Sequence, residues 1–225
     1  MFYFWDPTLI LLIPALLFAM WAQAQVKRAY NAWSRETTAR RITGADAARM
    51  ILSAMGIDVR IERIPGALTD HYDPKARVLR LSEGVYDSPS VAAVGIAAHE
   101  CGHAIQHHRG YLPLTVRNAI VPVVSLGSNL AIPLFLIGLI FSIHSLVQLG
   151  LYLFAGVVAF YIITLPVEFD ASRRALKVLG GMNILTPEEL AGAKEVLTAA
   201  ALTYVAAALM ALMNFLRLFL LSRRR

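Results

Sequence analysis

The chain has 225 residues, 57% hydrophobic and 16% charged, with a formal net charge of +6 and a mean hydropathy of +0.58. Soluble domains are usually about 45–50% apolar and about 25% charged, so disorder is excluded and the surplus apolar residues need a large core or lipid. One cysteine excludes a disulfide scaffold and a cysteine-only zinc site.

A membrane span needs about 20 mostly apolar residues, and four stretches qualify: 8–24, 118–143, 146–165 and 196–221. Pro122 and Pro133 interrupt the second stretch, Pro166 follows the third, and the fourth carries only Asn214 and Arg217. The His144-Ser145 break between the second and third reads as a tight hairpin. Ala22-Gln23-Ala24 resembles a signal-peptide cleavage site, yet residues 1–7 hold no Lys or Arg, whereas a signal peptide starts basic. Lys27, Arg28, Arg35, Arg40 and Arg41 come after the stretch. That order predicts an anchor with its N-terminus outside and the following segment in the cytoplasm. With four spans, residues 25–117 and 166–195 share that side and hold 13 and 4 of the 21 Lys and Arg. The tail Arg223-Arg224-Arg225 falls on the other side, against the rule: either it is a tolerated exception or the last helix does not fully cross. These flanking charges account for the basic balance without nucleic acid, and the lipid bilayer is the expected environment.

Between the first two spans the elements are readable. Thr43 with Asp46 three residues on marks a helix N-terminus, and Gly56 ends that helix. Residues 57–61 alternate apolar and polar as a strand does. Residues 68–72 and 76–81 flank Asp73-Pro74-Lys75, a turn, and form a β-hairpin. Ser88-Pro89 opens a helix over 91–108 that ends before Gly110.

That helix carries His99-Glu100-Cys101-Gly102-His103, an H-E-x-x-H pattern. Histidines four apart share a helix face, so both imidazoles can reach one ion, while Glu100 sits beside the ion as a general base. The uncharged run 91–98 before it argues against two merely solvated histidines. A catalytic zinc usually has three protein ligands plus water. His107 lies about 12 Å along the axis from His99, too far to share the ion, and His108 points to another face. His71 is one possible third ligand. Glu168, directly after the third span, is the better candidate, although it could instead pair with Arg173 or Arg174. Cys101 reads as a small packing residue, and Gly102 as a place where another backbone approaches. His71 and Tyr72 are candidate oxyanion donors.

Five segments together resemble the bacterial membrane neutral zinc metallopeptidases. They are Trp5-Asp6-Pro7, residues 43–49 from Thr43 to Arg49, His71-Tyr72-Asp73-Pro74, residues 97–106 from Ala97 to Gln106, and residues 165–172 from Leu165 to Ser172. The chain is more distantly similar to the gluzincin membrane proteases, in which a Glu on a second helix is the third ligand. The resemblance implies Glu168 in that role. It also implies that a residue at position 172 orients a zinc-binding histidine; the wider clan has Asp there and this chain has Ser172, with Asp170 as a possible substitute.

The fold expected is therefore a mostly α membrane protein, with four transmembrane helices and a small α+β zincin-like cytoplasmic region that includes a β-hairpin. Its parts are an anchor (1–24), the zincin-like region (25–117), a transmembrane hairpin (118–165), a third-ligand segment (166–195), and a last helix with a basic tail (196–225). The function expected is zinc-dependent hydrolysis of membrane or juxtamembrane protein substrates. One Zn²⁺ would be bound by His99, His103 and Glu168, with Glu100 as base. A site-2-type intramembrane protease is disfavoured, because the apolar run before His99 is too short to cross and the spans hold no Asp. A transporter would need ionisable residues within the spans, and a silent zinc-binding scaffold would have no need of Glu100. Nothing in the sequence fixes the oligomeric state.

Overall fold

The computed structural model describes residues 7–223. Trp5 and Asp6 of the first motif, and Arg224 and Arg225 of the tail, lie outside the described residues. The chain is mostly helical: α1 (Leu12–Trp33), α2 (Gly44–Ala54), α3 (Glu83–Tyr86), α4 (Val91–His108), α5 (Leu112–Ile140), α6 (His144–Gly181) and α7 (Pro187–Arg223). A short 3₁₀ turn, Pro7–Leu11, leads into α1. The three strands β1 (Arg60–Ile64), β2 (His71–Asp73) and β3 (Val78–Ser82) form one sheet in the order β1-β3-β2.

The chain divides into two units. The first comprises Met1–Ala22, Val116–Pro166 and Thr203–Arg225. Its helices belong to four that, among the described residues, are long and apolar enough to cross a membrane. Many of its large apolar side chains, among them Leu16, Trp21, Val123, Ile140, Tyr152 and Leu216, are exposed. A lipid environment removes the cost of that exposure. Ala131, Phe135, Val147, Phe154, Val158, Ala211 and Leu218 form its interior. Gly150 lets α5 and α6 close up, since a Cβ there would stand 2.7 Å from the Ala131 carbonyl oxygen. The turn between these helices falls at 141–143, just before the predicted break, and His144 already opens α6.

The second unit is Gln23–Thr115 with Val167–Leu202. Its core joins Ile51 and Leu52 of α2, Leu79 and Leu81 of β3, much of the buried face of α4, and Leu179, Ala193 and Leu197. Thr43 caps α2 as expected, in a reciprocal capping box with Asp46. β2 and β3 pair antiparallel, so the hairpin forms. Its turn is held by Asp73, whose Oδ1 accepts from the backbone N–H groups of Lys75 (2.9 Å) and Ala76 (3.1 Å). β1 lies three residues beyond the predicted strand because it pairs in parallel with β3, Arg60 opposite Val78 and Ile64 opposite Ser82. That non-local pairing sets the strand limits.

Two further differences concern helix ends. The cap of α4 is Ser90, not Ser88: its hydroxyl accepts from Ala93 N at 3.3 Å, while Ser88 Oγ donates to Ser90 Oγ at 3.0 Å. Backbone pairing of Thr38 N with Pro89 O (2.9 Å) keeps residues 88–89 extended outside the helix. Pro166 does not end α6. The turn after it is buried at Val167, Glu168, Asp170 and Ala171, and that packing offsets the backbone bond the proline removes.

Candidate metal centre

The site is assembled within the second unit by α4 and the part of α6 that follows Pro166. Their close approach is made by Gly102, inside the H-E-x-x-H pattern. A Cβ at that position would lie 2.4 Å from the carbonyl oxygen of Ala171, closer than any two such atoms can come. Ala171 lies between Glu168 and Ser172, so this contact sets both of them against the histidine face of α4.

His99 Nε2 stands 3.3 Å from Glu168 Oε2 and His103 Nε2 stands 3.5 Å from the same oxygen. The three ligand atoms lie within 4.8 Å of one another, and the side chains are 15%, 12% and 3% exposed respectively. The two rings meet edge to face with centroids 4.8 Å apart. Burial opposes a charge on Glu168, but hydrogen bonds from His103 and His99 and their charges hold its carboxyl well below the ordinary range. Burial also opposes a proton on His103; its bond to Glu168, the charges of Glu100 and Glu168 and its bond to Gln106 Oε1 outweigh this and raise it.

The outer nitrogens are occupied as well. His99 Nδ1 is 3.0 Å from Ser172 Oγ and His103 Nδ1 is 3.0 Å from Gln106 Oε1. Both imidazoles therefore turn Nε2 toward the carboxylate, the arrangement in which neutral histidines ligate metal. Two imidazole nitrogens and one carboxylate oxygen form a donor set that suits zinc, so the residues present fit the ion expected from the sequence.

Each predicted site residue can be placed. His99, His103 and Glu168 come together, and Glu100 is buried on the same helix. Ser172 touches His99 directly, whereas Asp170 reaches the other histidine, through Gln106 (Gln106 Nε2 to Asp170 Oδ2, 2.9 Å). Arg173 and Arg174, considered as partners for Glu168, both bond the carboxylate of Asp170. His71 does not join the cluster. It is exposed, with Nδ1 2.8 Å from Thr69 O and Nε2 3.4 Å from Arg80. Tyr72 lies against α4, its hydroxyl 2.8 Å from His107 Nδ1, and burial pushes its phenol above the ordinary value. Gln106 is the residue that sequence reasoning passed over. Its signal was available: an amide three residues after His103, which lies on the same helix face one turn on.

Residues 8–223 match the family described as "Putative neutral zinc metallopeptidase", and the chain belongs to that family. The chain is also 46% identical over 210 residues, 93% of each protein, to the "Putative membrane protease YugP" of Bacillus subtilis (strain 168). No solved structure matches it.

Proposed function

We propose that the chain is a multi-pass membrane zinc endopeptidase whose zincin-like, gluzincin-type site faces the cytoplasm. The observation that carries this reading is the convergence of two imidazole Nε2 atoms and one buried carboxylate from two helices. Three protein ligands are the set of a catalytic zinc, because they leave a fourth position open. When bound, zinc supplies a Lewis acid for the scissile carbonyl and a water whose pKa falls to about 7.

The chain's own residues divide the remaining work. His99, His103 and Glu168 hold the ion. The Glu100 carboxylate takes a proton from the attacking water and returns it to the leaving amine nitrogen. Of the two oxyanion candidates, Tyr72 has the stronger case. It is anchored to α4 through His107, while His71 is engaged by Thr69 and Arg80. β3 is the central strand, so of the hairpin's two strands β2 is the one with an outer edge for strand addition by an extended substrate. Main-chain pairing gives affinity with little sequence preference, which suits cleavage of varied membrane and juxtamembrane segments.

Two variants test the reading on the purified protein. Glu100→Gln keeps stoichiometric zinc and loses peptide hydrolysis by about 10²–10⁴-fold, the usual contribution of a general base. Glu168→Ala loses zinc as severely as His99→Ala. Retained hydrolysis in Glu100→Gln removes the mechanism, and full zinc occupancy in Glu168→Ala removes the ligand set.

A further inference from the structure

We propose that Gln106 is a positioning residue that locks His103 in the Nδ1–H form, so that only Nε2 is offered to the metal. The inference rests on reading His99, His103 and Glu168 as the zinc site. Gln106 is fully buried, and its amide meets three partners. Nε2 donates to Val167 O at 2.8 Å and to Asp170 Oδ2 at 2.9 Å, and Oε1 faces His103 Nδ1 at 3.0 Å. Val167 O and the Asp170 carboxylate can only accept. Turning the amide over would set its oxygen against two acceptors in a buried place, so its orientation is fixed from the α6 side. With Oε1 fixed toward the ring, His103 Nδ1 must carry a proton, so in the neutral ring that ligates a metal the lone pair is on Nε2. Arg173 and Arg174 both bond Asp170, which keeps that residue an acceptor.

Gln106 thus differs from Ser172, whose hydroxyl can donate or accept and so does not by itself dictate the form of His99. It also joins the two ligand-bearing helices at the residue next to Glu168, since Val167 O is one of its acceptors.

The test uses full-length protein in detergent, with zinc as the probe. Competition against a chelator should show zinc bound about 10–100-fold more weakly in Gln106→Leu than in the parent, the usual effect of losing a group that orients a ligand. In ¹H–¹⁵N spectra of the imidazoles, the zinc-loaded parent should show His103 ligating through Nε2, with an Nδ1–H protected from exchange; Gln106→Leu should lose that protection. A merely structural amide would not place the proton on one ring nitrogen. Unchanged zinc affinity in a folded Gln106→Leu overturns the proposal. So does a parent spectrum in which His103 ligates through Nδ1, and that result needs no variant to fold. Failure of the parent to bind zinc would instead overturn the site reading itself.

Discussion

At the scale of single residues, the site depends on where each hydrogen-bonding group is already engaged. His99 and His103 each spend Nδ1 on a neighbour and aim Nε2 at one carboxylate. The same accounting explains a residue in the first turn of α2. Asp46 is held below its ordinary value first by the Thr43 hydroxyl, against a burial effect of opposite sign, then by the Thr43 backbone and Arg49. A carboxyl depressed in the folded state stabilises fully above its unfolded value, 3.8, and loses that contribution as pH falls through the lower folded value. The thermal midpoint of the parent should therefore drop on acidification below about pH 4 more than that of Asp46→Asn. Parallel midpoint–pH curves would refute the assignment. Thr43→Ala removes the other half of the box and should cost about 1 kcal/mol. The box was legible because Thr43 and Asp46 are local in sequence, as are the four-residue spacing of the histidines and the base between them. Asp170 and Gln106 were harder to place because their partners lie across a helix interface, 64 residues apart.

At the scale of elements, the candidate metal centre is a consequence of helix–helix distance. Among the buried residues of α4, Ala97, Ala98, Cys101 and Gly102 are small, and Gly102 gives up its Cβ at the point of nearest approach to α6. Gly102→Ala forces α4 and α6 apart, and overpacking of this kind costs about 1–3 kcal/mol. The expected result is a lowered thermal midpoint together with zinc affinity weakened by at least about tenfold, because the shift separates Glu168 from both histidines; a tenfold loss corresponds to about 1.4 kcal/mol. Chelator competition that finds parent-like affinity would show that the helices do not need this contact. The limits of α4 over 91–108 could be read from its apolar run and from Gly110. Those of α6 could not: Pro166 is a stop signal in sequence, and only the burial of the following turn carries the helix through it. The parallel pairing of β1 with β3 was likewise invisible, since alternation reveals a strand but not its neighbour.

At the scale of the whole molecule, the proposed orientation rests on charge. Residues 25–117 and 166–195 carry 17 of the 21 Lys and Arg, and Lys27, Arg28, Arg35, Arg40 and Arg41 follow directly on the first span, within the roughly 20 residues over which basic side chains bias a segment to the cytoplasm. Four spans were legible because length and apolarity are summed properties, insensitive to packing detail. Orientation can be tested with an impermeant maleimide. Cys101 is fully buried, and burial with the nearby Glu100 charge pushes its thiol far up, so it should stay unlabelled in the folded protein; a Cys101→Ala background removes it altogether. Ser82 is unsuitable as a reporter position, because it is buried and bonded to Asp70. Lys75, exposed in the turn after β2, and Ser145, exposed at the start of α6, are suitable. In intact cells Ser145→Cys should react and Lys75→Cys should not; in inverted vesicles the reactivities should exchange. Labelling of Lys75→Cys from outside intact cells would place the β2–β3 turn, and with it the unit that holds the zinc residues, on the other face of the membrane. The basic flanks would then need a partner other than the cytoplasmic side of the bilayer to explain them.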